Sequence, residues 1–258
     1  MPCSSERPFW KGVLEMQSWG ITDPGCIRPQ NQDAYHIENL DRNTLLCVVC
    51  DGMGGAKSGN VASTLAAEVF AGEVKRNWTA DMDPEKLDQL LRGAVKLANF
   101  TVFDQAQQFE EFAGMGTTLV AALIRDKYAT VVNVGDSRCY SITPDGVSQM
   151  TVDHSLVRMM LQRGELTPET ARSYPGKNLI TRAIGTESVV DCDIFHRRLI
   201  SDECLLLCSD GLSNLVDEQE ILFEILHGGD KKTACDRLLA IAKNREAPDN
   251  VTCVLVQG

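Results

Sequence analysis

Four aspartates stand at the ends of short apolar segments, and this arrangement constrains the fold more than any other feature of the sequence. Asp51, Asp136 and Asp210 each follow such a segment, and Asp249 precedes one. Continuous apolar segments of this length are typical of strands that are buried on both faces. A carboxylate at the end of a buried strand is costly unless a cation lies beside it. If these strand ends converge, the carboxylates repel one another without a divalent metal, so the pattern predicts a metal-dependent hydrolase.

Two of these aspartates are followed by glycine, which gives the pairs a chemical use. Asp51-Gly52 and Asp210-Gly211 each combine a hard oxygen ligand with a residue that lets a backbone carbonyl come close enough to bind an ion. Asp33 begins another strand-like segment, residues 34–37, and we expect it to project into the same space. Taken one at a time these pairs are most often turns. The joint pattern favours a metal site.

Arg28 is the cation nearest to Asp33 in the sequence, five residues before it. A guanidinium group binds phosphate through two parallel hydrogen bonds, although a single arginine is more often a solvated surface residue. Two metal ions beside it would activate a water for in-line attack on phosphorus. The spacing alone therefore indicates metal-dependent phosphoryl transfer or hydrolysis.

Composition excludes several classes of protein. A chain of 258 residues with 43% hydrophobic residues fits one domain with a sizeable core. The net charge of −11 argues against a nucleic-acid or anionic-membrane partner. We expect a cytoplasmic protein, because no apolar stretch reaches the roughly 20 residues of a membrane span and the N-terminus lacks a signal-peptide core. The four histidines are scattered, so an all-oxygen site for Mg²⁺ or Mn²⁺ is favoured over a histidine-rich zinc site.

The order of predicted elements favours an α+β fold with antiparallel sheets, because helices and strands occur in blocks. Residues 153–178 are polar and contain helix-breaking glycine and proline, which predicts a surface excursion that forms a lid beside the site. Helices are predicted at 56–74, 83–108, 155–162, 217–227 and 231–244, and strands at 34–37, 45–50, 119–124, 129–135, 137–141, 147–151, 205–209 and 251–256.

Six short motifs occur in an order that resembles the metal-dependent protein phosphatases of the phosphatase 2C type, in their compact bacterial form. Each motif is weak alone, but the ordered set is specific and extends from about Gly20 to Val256. The motifs are RPQNQD at 28–33, DGMGG at 51–55, GTT at 116–118, GDSR at 135–138, SDG at 209–211 and PDN at 248–250.

The resemblance implies a four-layer α-β-β-α sandwich, in which two central antiparallel β-sheets are flanked by helices and the metals lie at one end. It divides the chain into an N-terminal segment, residues 1–19, and a single catalytic domain, residues 20–258. The excursion at about 153–178 falls where the family carries its flap, a segment expected to affect substrate choice.

The resemblance also implies roles for the site residues. Asp51 would bridge two core metal ions and Gly52 would offer its carbonyl. Asp210 and Asp249 would bind one of these ions, and Asp33 would hold a metal directly or through water.

Two further roles and two departures follow from the same resemblance. Asp136, together with Asp210, would form a third, weaker metal site, and Arg28 would bind the substrate phosphate.

Many members have glutamate at the position of Gln32, so a contact there would be neutral. Animal members have a histidine, proposed as general acid, where this chain has Met53, so proton delivery would fall to a metal-bound water or remain unassigned.

The predicted function is Mg²⁺- or Mn²⁺-dependent hydrolysis of phosphoserine and phosphothreonine on proteins, by a water that bridges two metal ions. The resemblance implies phosphorylated protein substrates, a bacterial Ser/Thr kinase that the enzyme opposes, and a monomer. Two alternatives are a catalytically silent pseudophosphatase that acts as a binding module and a metal phosphatase for small phosphoesters. The presence of all five aspartates argues against the silent form.

Overall fold

The structure, a computed structural model, describes residues 16–54, 58–172, 174–176 and 178–258. Within these ranges the strands are β1 (Gln17–Asp23), β2 (Asp33–Asn39), β3 (Thr44–Met53), β4 (Gly116–Thr117), β5 (Leu119–Arg125), β6 (Tyr128–Val134), β7 (Arg138–Thr143), β8 (Gly146–Gln149), β9 (Asp193–Arg198), β10 (Cys204–Cys208) and β11 (Val251–Gln257). The helices are α1 (Gly59–Asn77), α2 (Pro84–Gln108), α3 (Leu156–Gln162), α4 (Pro168–Arg172), α5 (Asp210–Ser213), α6 (Glu218–Leu226) and α7 (Ala234–Asn244).

The strands form two sheets in which neighbouring strands are antiparallel. One sheet has the order β1-β11-β10-β7-β8. The other has the order β2-β3-β5-β6-β9, and the short β4 pairs with the end of β3. This confirms the predicted antiparallel sheets.

Alternation along β3 shows why its apolar segment has no polar face. Leu46 and Val48 pack with Phe70 of α1 in a core that also contains the buried side of α2. Leu45 and Cys47, on the opposite face of the strand, pack against the other sheet. Successive side chains of a strand point to opposite faces, so a central strand between two packed layers must be apolar throughout.

The second sheet repeats this arrangement on its own side. Leu205 and Leu207 of β10 face the other sheet, whereas Leu206 packs with Leu238 of α7 and Ile221 of α6. Three hydrophobic cores therefore lie between four layers. The order of the layers is helices, sheet, sheet and helices. This confirms the predicted α+β sandwich.

Three strands were not predicted from the sequence. One is the two-residue β4, and the other two, β1 and β9, lie at the edges of sheets. β1 and β9 are only partly buried, with the sequences QSWGITD and DIFHRR, so neither carries the apolar segment of a central strand. Residues 17–19 pair with residues 255–257 of β11, so the sheet begins before the predicted domain boundary at residue 20. Residues 1–15 lie outside the described ranges.

The predicted helices are present with small differences at their ends. Asp83 accepts a hydrogen bond from the Lys86 N–H at 2.8 Å, and Pro84 is the first residue of α2, as the N-cap pattern predicts. Residues 55–57, at the predicted start of the first helix, lie outside the described ranges, and α1 begins at Gly59. The helix predicted at 231–244 is a 3-10 turn over Lys231–Thr233 followed by α7.

A pair of leucines in α2 tests the helix-to-sheet core. Leu91 is 1% exposed and Leu97 is 38% exposed. We expect Leu91→Ala to lower the free energy of unfolding by about 2 to 5 kcal/mol, because it leaves a cavity under the helix. Leu97→Ala removes a comparable side chain at the surface and should cost less than about 1 kcal/mol. Urea unfolding followed by circular dichroism measures both, and equal losses would contradict the assignment of this face to the core.

Candidate metal centre

One end of the sandwich opens into a cavity of about 430 Å³ between the two sheets. Four of the predicted aspartates line it, together with Gly52 and Arg28; they are Asp51, Asp136, Asp210 and Asp249. The first two come from one sheet and the last two from the other. The strand ends identified in the sequence therefore converge.

Antiparallel pairing explains why an aspartate that precedes a strand meets aspartates that follow strands. Because β10 and β11 run in opposite directions, with Cys208 opposite Cys253, the end of β10 lies beside the start of β11. Asp210 follows β10 and Asp249 precedes β11, so both reach the same end of the sandwich. In the other sheet, Asp33 is the register partner of Asp51.

Asp33 is buried, with 8% of its surface exposed, and only one of its carboxyl oxygens has a hydrogen-bond partner. Its Oδ2 accepts a hydrogen bond from Ser209 Oγ at 2.7 Å, while Oδ1 is buried without a partner. Burial raises the pKa of Asp33 to about 7, despite the hydrogen bonds from Thr252 and Ser209. A buried carboxylate oxygen without a hydrogen-bond partner is suited to bind a cation.

Asp51 is fixed through its backbone. Its N–H donates to Thr118 Oγ1 at 2.9 Å, and its carbonyl oxygen accepts from the Thr118 N–H and from Thr117 Oγ1. Burial, with the nearby charges of Asp33 and Asp210, raises the pKa of the Asp51 carboxyl well above its usual value. The two threonines thus hold this carboxylate in place without neutralising its charge.

Two further carboxylates, Asp136 and Asp210, are partly exposed at the cavity and have the same electrostatic problem. Burial and the charge of Asp249 raise the pKa of Asp210, whose Oδ2 accepts a hydrogen bond from Asn214 at 3.0 Å. Burial and the charge of Asp210 raise the pKa of Asp136 to about 7. The charge of Asp249 therefore makes ionised Asp210 less favourable, and the charge of Asp210 does the same to Asp136.

These observations fit a hard divalent cation. Carboxylate and carbonyl oxygens are the donors that Mg²⁺ and Mn²⁺ prefer, and a dication relieves both the mutual repulsion and the unpaired Asp33 Oδ1. Among the described residues, no three His, Cys, Asp or Glu side chains already meet in the arrangement of a metal-ligand group. The ligand roles implied by the resemblance therefore stay predictions.

The glycines of the two Asp-Gly pairs are required by neighbouring backbone. A Cβ atom on Gly52 would lie 2.1 Å from the carbonyl oxygen of Gly59 and 2.5 Å from that of Gln32. A Cβ atom on Gly211 would lie 1.9 Å from the carbonyl oxygen of Asn250. Both glycines are therefore needed for backbone packing, and the approach of their carbonyl groups to an ion stays a prediction.

Arg28 lies at the mouth of the cavity and is half exposed. Its Nη2 donates to Asp249 Oδ2 at 2.8 Å, and this hydrogen bond raises the pKa of the guanidinium. The side chain is 53% exposed. Arg28 is thus oriented by a cavity carboxylate while keeping hydrogen-bond donors available to solvent.

Asn250 positions the segment that carries Arg28, a function that sequence analysis did not assign to it. Its Oδ1 accepts from the Gln32 N–H at 2.8 Å, and its Nδ2 donates to the carbonyl oxygens of Pro24 and Gln30, each at 3.0 Å. Ser209 similarly links Asp33 to β11. Ser209 and Asn250 both lie in the motifs SDG at 209–211 and PDN at 248–250. The motifs therefore marked these two residues, but the sequence did not show which groups they bind.

The residues that depart from the family pattern are placed at the cavity as well. Gln32 and Met53 line the cavity, and the described lining residues include no histidine. Met53 has no proton to transfer. The described part of this cavity therefore offers no imidazole as a general acid.

The predicted excursion lies beside the cavity. It contains α3 and α4, and two residues just beyond α4, Asn178 and Ile180, line the cavity wall. The backbone N–H of Leu156 donates to the carbonyl of Leu179 at 2.8 Å, which closes the excursion at its base. The excursion therefore borders the cavity, and its role as a lid stays a prediction.

Comparison with known proteins identifies the family. The sequence model of the family described as Protein phosphatase 2C matches residues 29–238. The serine/threonine phosphatase stp of Listeria innocua is 38% identical over 240 residues, which cover 92% of this chain and 93% of that protein. The protein phosphatase PhpP of Streptococcus pneumoniae is 34% identical over 250 residues, with coverage of 92% and 95%. The chain belongs to the protein phosphatase 2C family, which confirms the predicted family and enzyme class.

Solved structures agree with this assignment. The serine/threonine phosphatase Stp1 from Staphylococcus aureus superposes with a TM-score of 0.86 at 37% identity, covering 94% of this chain and 95% of that one. The serine/threonine phosphatase PstP/Ppp of Mycobacterium tuberculosis gives a TM-score of 0.82 at 31% identity, with coverage of 94% and 98%.

A search of the described residues for a membrane span finds no helix with the length and apolar character that a bilayer requires.

The raised pKa values predict that metal binding depends on pH. Asp33 and Asp136, with pKa values of about 7, hold protons more tightly in the folded metal-free protein than in the unfolded chain. Their contribution to stability is therefore present at acid pH and is lost as the pH rises through about 7. A divalent cation competes with these protons, so it should stabilise the fold more at pH 8 than at pH 6.

Thermal unfolding with Mg²⁺ and with EDTA, at both pH values and equal ionic strength, measures this effect. The increase in Tm caused by Mg²⁺ is expected to be larger at pH 8. An increase that is equal or smaller at pH 8 would contradict a site built on these carboxyls.

Proposed function

We propose that this protein hydrolyses phosphoserine and phosphothreonine on proteins, with Mg²⁺ or Mn²⁺ as cofactor. The observation that supports this most strongly is the convergence of Asp51, Asp136, Asp210 and Asp249 with Arg28 in one cavity. Relatives that are named serine/threonine phosphatases match more than nine tenths of the chain. A family fold with its full set of carboxylates favours an active enzyme over the silent alternative.

The residues divide the work between holding ions and holding substrate. Asp33, Asp51, Asp210 and Asp249, with the carbonyl of Gly52, would hold two core ions, and Asp136 with Asp210 would hold a third. When bound, such ions neutralise the phosphate and activate water for in-line attack on phosphorus. The roles of the individual aspartates are those implied by the motifs.

Arg28 supplies the substrate contact. Its guanidinium is oriented by Asp249 Oδ2, stands at the cavity mouth and presents further N–H donors to solvent. A phosphate that enters the cavity would meet these donors, which match two of its oxygens. The flap, at about residues 153–178, would affect which substrates are accepted.

The cellular setting follows from the same proposal. Substrates are phosphorylated proteins, and a Ser/Thr kinase that produces them is the opposing partner. A monomeric, cytoplasmic enzyme is the simplest form of such a system, and it agrees with the acidic charge of −11, which disfavours nucleic acid and anionic membrane.

Asp210→Asn tests the metal site. We expect phosphate release from a phosphothreonine peptide in Mn²⁺ to fall at least about 1000-fold, because a ligand to a core ion is lost. EDTA should abolish the wild-type reaction. The variant should fold normally without metal, since it removes one of several mutually repelling carboxylates.

Asp145→Asn is the matched control for this experiment. Asp145 lies in the turn between β7 and β8, at the end of the sheet opposite the cavity, and the variant should keep wild-type turnover. Full activity of Asp210→Asn would refute the assigned metal site. Turnover of small phosphoesters without turnover of the peptide would favour the small-molecule phosphatase instead.

Arg28→Ala tests the phosphate contact. A hydrogen bond to a charged group contributes about 1.5 to 3 kcal/mol, so kcat/KM should fall about 10- to 100-fold. Arg28→Lys keeps the charge but loses the two-point geometry, so its kcat/KM should lie between those of the wild type and Arg28→Ala. Arg76→Ala removes an exposed arginine on α1 and serves as control. Equal kcat/KM values for the wild type and Arg28→Ala would exclude this role.

A further inference from the structure

His154 lies at the start of the flap and is bound to the residue that precedes Asp136. Its ring Nδ1 accepts a hydrogen bond from the backbone N–H of Gly135 at 3.1 Å. The backbone N–H of His154 donates to the Gly135 carbonyl oxygen at 2.9 Å. Asn133 Nδ2 donates to the same carbonyl oxygen at 3.2 Å. Gly135 is thus held on both its donor and its acceptor by one buried histidine, which is 7% exposed.

The other ring nitrogen points to β9. Nε2 lies 3.1 Å from Asp193 Oδ2. Because Nδ1 accepts from a backbone N–H, the ring proton is on Nε2 and is donated to Asp193. Arg182 Nη1, which is 3.2 Å from Nε2, donates to Asp193 Oδ1 at 3.2 Å. The ring is therefore a neutral imidazole of one defined tautomer, and its burial lowers its pKa, which favours that form.

The same residue joins the two ends of the flap. The carbonyl oxygen of His154 accepts from the Thr181 N–H at 2.7 Å, and the next residue, Ser155, forms a bridge with Ile180. The chain that leaves the sandwich at 154 and the chain that returns at 181 thus meet at His154. The base of the flap is therefore hydrogen-bonded directly to this histidine.

Gly135 has little freedom to absorb a displacement of the flap base. Its φ is +105°, a conformation that favours glycine, and a Cβ atom there would lie 2.6 Å from Thr118 Cγ2. Thr118 in turn accepts from the Asp51 N–H. A shift of Gly135 would therefore move Asp136, the next residue, into or out of the cavity.

We propose that His154 is a positioning residue that couples the base of the flap to Asp136, through the hydrogen bond from the Gly135 N–H to Nδ1. The flap and this cavity carboxylate then respond as one unit, and Asp136 is ready to bind an ion only when the flap base is docked. The inference rests on the proposed function only for the identity of the ion.

Three substitutions separate the two sides of the ring. His154→Asn places Oδ1 near the position of Nδ1 and keeps an acceptor for Gly135 but loses the contact to Asp193. His154→Gln places its amide near Nε2 and keeps a donor for Asp193 but loses the contact to Gly135. His154→Ala loses both.

Calorimetric titration of the metal-free proteins with Mn²⁺ gives the readout. Loss of a hydrogen bond that orients a ligand typically costs 10- to 100-fold in metal affinity. We expect the weakest wild-type site to lose affinity by about this factor in His154→Ala and His154→Gln. His154→Asn should bind closer to the wild type than to His154→Ala. Wild-type binding in all three variants, or failure of His154→Asn to rescue, would overturn the proposal.

A double variant supplies the second criterion. Asp136→Asn should remove the weakest site, so adding His154→Ala to it should cause no further loss of Mn²⁺ binding. Additive losses would mean that His154 acts elsewhere and would also overturn the proposal. These titrations need no turnover, so an inactive wild-type protein that binds Mn²⁺ in this pattern would contradict the proposed function and leave the coupling intact.

Discussion

The repulsion among carboxylates at one end of the sandwich is the constraint on which the rest of the structure depends. Asp33 and Asp51 are direct cross-strand partners, a position in which like charges destabilise a sheet. Burial and the neighbouring charges raise the pKa of each, and Asp33 Oδ1 has no hydrogen-bond partner. A fold that maintains such a cluster sacrifices stability locally, and a divalent cation is what reverses the sign of the interaction.

Neutral groups hold the charged ones in place. Thr118 binds the backbone of Asp51, Ser209 binds the carboxyl of Asp33, and Asn250 fixes the segment before β2. Hydroxyl and amide groups can fix a carboxylate without neutralising it, so the negative charge remains available to ions. The same logic explains the tight glycines, since a Cβ atom at Gly52 or Gly211 would push apart the backbone segments that bring the aspartates together.

The flap belongs to this constraint through His154. Its ring joins Gly135 to Asp193, and its carbonyl joins the two ends of the excursion. A segment that borders the cavity is thereby connected to Asp136, which lines it. Met53 lines the cavity at the position where the animal members have a histidine, together with Arg28 and four aspartates.

The sequence by itself determined the central strands, the main helices and the candidate site residues, because buried strands need continuous apolar segments and buried carboxylates at their ends are too costly to occur without a use. It did not reveal β1 and β9, which are partly exposed and carry no such segment, or β4, which has only two residues. Only the tertiary structure decided that Asp33 faces Asp51, that Arg28 meets Asp249 and that His154 binds Gly135. Those pairs are far apart in the chain or depend on strand register, and register is set by packing between layers, which no local pattern of residues specifies.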